Sequence, residues 1–279
     1  MNANAIERFL GIVRTRRSLF GGVAAAGIAF AAIENGDARP KRAKQRRRRR
    51  RGRQNGEGNG LGGGCQVCQA PGQCPFNTIQ AAINNSRGED AMITVCPGTY
   101  QERLNLNAAA AQGNFVTIVG SGPGQIIIDA DGDGTAITVA PVTVATVQDV
   151  TITGGKAALG GGIVNRGNLT LKNCTVTKND NGAADNGGGG GGIYNARGAR
   201  LTVSETTITE NTALDGQGGG ILNDGGAVEL QANTQVTKNM ADQGGGIFNR
   251  NGGTVTIDED SSVSGNEPDN CVGTTACGA

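Results

Sequence analysis

The sequence predicts an all-β fold: a parallel solenoid with three faces and a short helix capping its N-terminal end. Three observations predict it. First, the phrase Gly-Gly-Gly-Ile-x-Asn returns four times, at 160–165, 190–195, 218–223 and 244–249, with its isoleucines 30, 28 and 26 residues apart. A period of that length marks stacked structural units. Second, an aliphatic residue three positions before an asparagine follows each phrase at a fixed phase: Val176/Asn179, Ile208/Asn211, Val236/Asn239 and Val263/Asn266. Third, a short apolar alternation lies between the two, as in Leu169-Thr170-Leu171, Leu201-Thr202-Val203, Val228-Glu229-Leu230 and Val255-Thr256-Ile257.

Period-two alternation is the strand signal, because successive side chains point to opposite faces. Each unit therefore holds three short strands separated by Gly/Asn/Asp turns, and none has the length or pattern of a crossover helix. Strands joined by turns this short cannot pair with their sequence neighbours, so each pairs with its equivalent in the next unit. Stacked equivalents about 4.8 Å apart require like on like. The inward columns meet this requirement: Ile163/Ile193/Ile221/Ile247, Val176/Ile208/Val236/Val263 and the small column Cys174/Thr206/Thr234/Ser261. A narrow aliphatic interior also agrees with no Trp, two Tyr and 3% aromatics beside 49 glycines. The two asparagine columns are expected to occupy left-handed corners and to hydrogen-bond amide to amide along the axis.

The N-terminal portion is a different object. Thr15-Arg16-Arg17-Ser18-Leu19-Phe20 precedes an apolar run from Leu19 to Ile33 containing Ala29-Phe30-Ala31. It resembles a bacterial twin-arginine export signal over 1–31, cleaved before Ala32. The apolar run is short for a membrane span, which needs about 20 residues; a retained anchor is the alternative. Residues 32–64 read as a basic, then Gly-rich linker. Residues 1–53 carry 15 Lys/Arg against 3 Asp/Glu, net +12, and residues 54–279 carry 10 against 21, net −11. The six arginines from 46 to 51 read as a solvated linker or as an arm for acidic wall polymers. Specific nucleic-acid binding is not expected, because no aromatic stacking residues accompany them and the folded body is acidic.

The folded domain is expected over 65–279. Asn77-Thr78-Ile79-Gln80 forms a helix N-cap pattern, and Phe76, Ile79 and Ile83 share one face, predicting a lid helix over about 77–85. Seven cysteines in an exported chain predict three disulfides and one leftover thiol. Cys174 falls in the small inward column and is the free thiol; Cys271 and Cys277 close a C-terminal loop. Cys65, Cys68, Cys74 and Cys96 tie the cap to the first coil in one of three pairings, or hold zinc.

Phe76 to Ile83, Ile93-Thr94-Val95-Cys96-Pro97-Gly98-Thr99-Tyr100-Gln101-Glu102 and Val116 to Gly122 together resemble the opening of pectate-lyase-like right-handed parallel β-helix proteins. The Gly-Gly-Gly-Ile-x-Asn units resemble repeats of bacterial surface proteins of the polymorphic outer-membrane kind. The resemblance covers 76–266 and implies the fold, which hosts lyases, hydrolases, esterases, adhesins and spacers. Polygalacturonase-like members carry paired aspartates and Gly-His-Gly; this chain has no histidine and no Asp-Asp. The absence of histidine also removes Ser-His and Cys-His nucleophilic catalysis. Esterase-like members need a Gln, Gln-Asp, Asp and Arg series, and the only Gln-Asp here is Gln148-Asp149, read as an exposed pair within a strand-like run. Lyase-like members need calcium carboxylates and an Arg or Lys base, for which Arg166, Lys172, Arg197, Arg200 and Arg250 are unmatched candidates.

Two sets of candidate site residues follow. Asp129, Asp131 and Asp133, followed by Gly134, begin an EF-hand-type calcium loop whose twelfth position is Ala140 instead of glutamate; a plain turn has the same composition. The residues after the repeated isoleucines, Val164, Tyr194, Leu222 and Phe248, stack outward as an apolar stripe. That stripe is either a docking or sugar-stacking platform or is covered by its neighbours. The expected function is an exported or cell-surface module that binds cell-wall or extracellular polysaccharide or serves structurally, with no identifiable catalytic residues and no required cofactor, calcium being the candidate. The alternative is a calcium-dependent lyase acting on acidic glycans.

Overall fold

The computed structural model describes residues 64–86, 90–107, 115–182 and 188–277. The export signal expected at 1–31, and all but the last residue of the linker expected at 32–64, lie outside them. Three seven-stranded parallel sheets wind as a right-handed β-helix. Face A runs from Ala91–Thr94 to Thr254–Ile257, face B from Gly98–Gln101 to Ser262–Ser264, and face C from Leu104–Leu106 to Cys271–Val272. Each coil visits A, B and C in turn, so every strand pairs with the strands one coil before and after it.

The register is the one the repeats predict. Ile163, Ile193, Ile221 and Ile247 stack on face C, and Val176, Ile208, Val236 and Val263 on face B. The four isoleucines are fully buried, and so are Val176, Ile208 and Val236. The core is these aliphatic columns together with Leu169, Leu201, Val228 and their partners. Cys174, Thr206 and Thr234 are buried in the small column, and Ser261 is half-buried.

Both asparagine columns form amide ladders. Asn165 donates through Nδ2 to Asn195 Oδ1 at 2.8 Å, Asn195 to Asn223 at 2.8 Å and Asn223 to Asn249 at 2.7 Å. In the second ladder Asn179, Asn211, Asn239 and Asn266 are joined at 2.9, 3.0 and 3.0 Å. The left-handed corner expected at the asparagines falls at none of them: in the first ladder glycines past the asparagine take it, with φ of 74°, 74° and 73° at Gly198, Gly225 and Gly252. In the second it comes one residue earlier, with φ of 55°, 56° and 55° at Lys178, Glu210 and Lys238, and 64° at Gly265. An asparagine past the corner can aim its amide inward, while the corner residue projects into water.

The third glycine of each phrase couples the two ladders. A Cβ on Gly162, Gly192, Gly220 or Gly246 would come within 2.8–3.2 Å of the amide of Asn179, Asn211, Asn239 or Asn266. It would come closer still to a backbone carbonyl of the next coil, at 2.3–2.7 Å, so the position must be bare both for the coils to stack and for the second ladder to form.

The sequence did not indicate a fourth strip. The chain between faces B and C bulges and pairs with its equivalents: Thr212–Gln217 with Met240–Gln243, extended by bridges at Lys156, Asp180, Gly189 and Glu267.

The lid helix, α1, spans Ile79–Asn85 and packs over the first strands of faces A and C. Its N-cap is Thr78, whose hydroxyl accepts from Ala81 N–H at 3.1 Å. With the cap at Thr78 and not Asn77, Gln80 is the second helical residue, one too early to bond back to the cap backbone. It ties the helix to Asn105, whose backbone N–H donates to its Oε1 at 2.8 Å. The first helical N–H groups donate to the Glu102 carboxylate, Ile79 at 2.7 Å and Gln80 at 3.0 Å, a favourable place for negative charge. Of the three pairings open to the N-terminal cysteines, the chain adopts Cys65–Cys96 and Cys68–Cys74. Cys271 pairs with Cys277, and Cys174 is the buried free thiol.

Candidate functional site

The apolar stripe Val164, Tyr194, Leu222 and Phe248 is stacked in register on face C, but it is not an open platform. Leu222 is fully buried, Val164 and Phe248 nearly so, and Tyr194 half-buried. A polar network that crosses coils joins Tyr194 to its neighbours. Tyr194 donates its hydroxyl to Asp224 Oδ2 at 3.1 Å; Arg250 donates to the same oxygen at 3.1 Å and to Gln217 Oε1, on the fourth strip, at 2.8 Å. The Arg250 hydrogen bond holds the Asp224 carboxyl below the usual carboxylate range, and burial, reinforced by the Asp224 charge, pushes the Tyr194 phenol up. The sequence pattern placed these four residues on the outer face of their strands and could not show what lay over them.

Asp129, Asp131 and Asp133 lie on one turn but are not gathered into a donor set. Asp129 Oδ1 accepts from the Asp131 backbone N–H at 2.9 Å, and Asp133 pairs with Arg103 at 3.5 Å in the open. Among the described residues no three acidic or cysteine side chains converge as a metal cluster. The first carboxylate caps the turn that ends the strand Ile126–Asp129.

Gln148 ends the face A strand Val144–Gln148 and Asp149 turns the corner after it, and both are half-buried where an exposed pair was expected. Asp149 has φ of 62° and accepts from Asn173 Nδ2 at 2.6 Å and from Gln148 Nε2 at 3.3 Å. The cations considered as bases are likewise apart. Among the described residues each ion-paired arginine faces a single carboxylate: Arg103 with Asp133, Arg200 with Glu229, Arg250 with Asp224.

The accessible site lies on face A. Pairing places Met92, Thr117, Thr146, Thr170, Thr202, Glu229 and Thr256 in one outward column along the axis. Seven rungs span roughly 29 Å. Beside the C-terminal half of the column is a groove of about 260 Å³ lined by Arg200, Ala227, Val228, Glu229, Thr254 and Thr256. Arg200 and Glu229 flank it 3.7 Å apart and are both substantially exposed, so the pair is weak and its donors stay available.

The N-terminal end of face A is apolar. Phe115 is 54% exposed, Met92 62% and Val142 83%. Val142 also holds φ of 59°, a left-handed conformation that is costly for a β-branched residue. Phe115 offers a ring face; the threonines and the Arg200–Glu229 pair offer hydroxyl, donor and acceptor groups in line with it. The middle residue of each apolar triplet (Thr170, Thr202, Glu229, Thr256) already carried this column in the sequence. Phe115 and Val142 precede the repeats, and no motif pointed to them.

A right-handed parallel β-helix with an open, hydroxyl-lined face is the class of protein that the fold and the site define. No family model and no curated protein matches the chain. Among solved structures it is similar to a substituted pectin methylesterase in complex with a hexasaccharide (13% identity, TM-score 0.40, 72% of this chain and 81% of that one). It is also similar to the rice weevil pectin methyl esterase (16% identity, TM-score 0.36, 72% and 70%). Both likenesses are distant, and the functional reading rests on the residues of this chain.

Proposed function

We propose that this chain is an exported β-helix module that binds an extended polysaccharide along face A. The single observation that carries the reading is the in-register outward column from Met92 to Thr256, with the groove at Arg200 and Glu229 and the exposed Phe115 ring on the same face. A periodic polymer suits a periodic surface: each coil offers the same hydroxyl one rung further on, and an aromatic ring stacks against the apolar face of a sugar. Binding is better supported than lyase chemistry, which needs a Lys or Arg opposite at least two carboxylates. Export is supported by the paired arginines Arg16 and Arg17 with the apolar run behind them, and by three disulfides, which persist in oxidising compartments.

Affinity electrophoresis of the full chain through polysaccharide-containing gels tests the reading. The chain should be retarded by at least one polysaccharide. Phe115→Ala and Arg200→Ala should each weaken retention about tenfold, equivalent to about 1.4 kcal/mol, while Thr177→Ala on face B leaves it unchanged. Retention by no polymer, or equal losses from the face B substitution, would overturn it.

A further inference from the structure

Resting on that binding reading, we infer that face A takes a neutral, hydroxyl-rich glycan and not a polyuronate. The charge around the groove carries the inference. Arg200 is the cation on the groove wall, and Glu229 neutralises it at 3.7 Å. Around them Lys172 and Arg197 are set against Asp149, Glu205 and Asp258 at the turns bordering the face. Hydrogen bonding from Ser261 keeps Asp258 charged well into the acid range. With Arg200 and Glu229 included, and with Arg166, Glu259 and Asp260 at the same turns, four cations meet six anions, so the groove has no positive field.

The wider body makes this stronger. Residues 54–279 carry a net charge of −11, and at physiological ionic strength fields persist for about 8 Å, enough for this surface to repel a polyanion that lies along it. A site for uronates on an acidic protein needs bridging cations. The aspartates that could have held one, Asp129, Asp131 and Asp133, are instead used as a turn cap and a surface ion pair, as described above. What the face does offer is uncharged: five threonine hydroxyls in the column, at positions 117, 146, 170, 202 and 256, each both donor and acceptor, matching the hydroxyls of a neutral sugar chain.

The same gels, cast with neutral polymers (β-glucan, mannan, galactan) or acidic ones (polygalacturonate, alginate), at low and at physiological salt and with and without calcium, decide it. The parent chain for this test carries glutamine in place of every Lys and Arg from 41 to 53, so that the basic arm does not itself hold the acidic polymers. The expected result is retention by a neutral polymer that changes less than twofold with salt, and no retention by the acidic ones. Glu229→Gln uncovers Arg200 and should create retention on polygalacturonate at low salt, where the parent chain shows none. The double substitution Glu229→Gln with Arg200→Gln should abolish that gain. Stronger retention of the parent chain by an acidic polymer, with or without calcium, overturns this inference while leaving the polysaccharide reading intact. Retention by neither class overturns both.

Discussion

Removing the amide of Asn211 should be among the most damaging polar substitutions in the molecule, and its cost can be worked from the ladder. Asn211 Oδ1 accepts from the backbone N–H of Asn179 at 3.1 Å and from its Nδ2 at 2.9 Å. Its own Nδ2 donates to Val176 O at 2.9 Å and to Asn239 Oδ1 at 3.0 Å. In Asn211→Ala the Asn179 backbone N–H loses its acceptor. Two of the other three groups keep a partner: Asn179 Nδ2 still reaches Ile152 O and Thr177 O, and Asn239 Oδ1 still accepts from the Asn211 backbone, while Val176 O loses the amide donor. Asn211 is fully buried, so water does not replace what is lost. One orphaned buried donor costs roughly 1–3 kcal/mol, and the weakened partners bring the total to about 3–5 kcal/mol, a large share of the 5–15 kcal/mol typical of a folded domain. Asn249→Ala is the matched control. It sits in the first ladder and is half-buried; it accepts from Asn223 Nδ2 at 2.7 Å, a donor that keeps Gly226 O and Thr254 O, and it donates to Gly253 O and Gly273 O, both at 2.9 Å; its cost should be about 1–2 kcal/mol. Urea unfolding followed by circular dichroism, with the disulfides intact, reads both values. A cost below about 1 kcal/mol for Asn211→Ala, or parity with Asn249→Ala, would refute the claim that the buried ladder is an energetic necessity.

Ile221 is fully buried in the middle of the isoleucine column, so Ile221→Val should cost about 0.5–1.5 kcal/mol and Ile221→Ala about 2–5 kcal/mol. Equal midpoints for the two in urea would mean that the column relaxes around the void. Burial raises the Cys174 thiol from 9.0 to about 11. The folded state therefore disfavours the thiolate, and the contribution of Cys174 is complete below pH 9.0 and lost as pH rises towards about 11. The stability gap between the parent chain and Cys174→Ala should shrink over that window, and iodoacetamide should label Cys174 only in denaturant; rapid labelling of the native protein would contradict its burial. For Asp224 the sign reverses. Its folded value lies below 3.8, so its contribution is present above that pH and lost as pH falls through the lower folded value. The gap between the parent chain and Asp224→Asn should be widest near neutrality and close in acid, as read by urea midpoints at a series of pH values.

The repeated part of the fold was legible because a solenoid encodes its tertiary contacts as sequence periodicity. A residue's neighbour in space is its equivalent one unit away, so the columns at Ile163, Val176, Asn165 and Asn179 were visible as phrases, and Cys174 could be placed inside by its phase alone. The site was legible only in part. Which face of a strand points outward follows from alternation, and that put Thr202 and Glu229 on face A and Tyr194 and Leu222 on face C. Whether an outward residue meets water depends on what the turns do, and the turns vary in length from unit to unit.

The amino-acid sequence by itself determined the period, the three strands of each coil, the amide ladders and the free thiol, since each needs only a residue and its stacked copies. The tertiary structure alone decided that the face C stripe is buried and that Tyr194, Asp224 and Arg250 are linked across coils. It alone decided that Glu102 caps a helix beginning 23 residues earlier, and that Cys65 joins Cys96. Those contacts join segments that do not repeat, so no periodicity announces them, and only the folded backbone brings their side chains within reach.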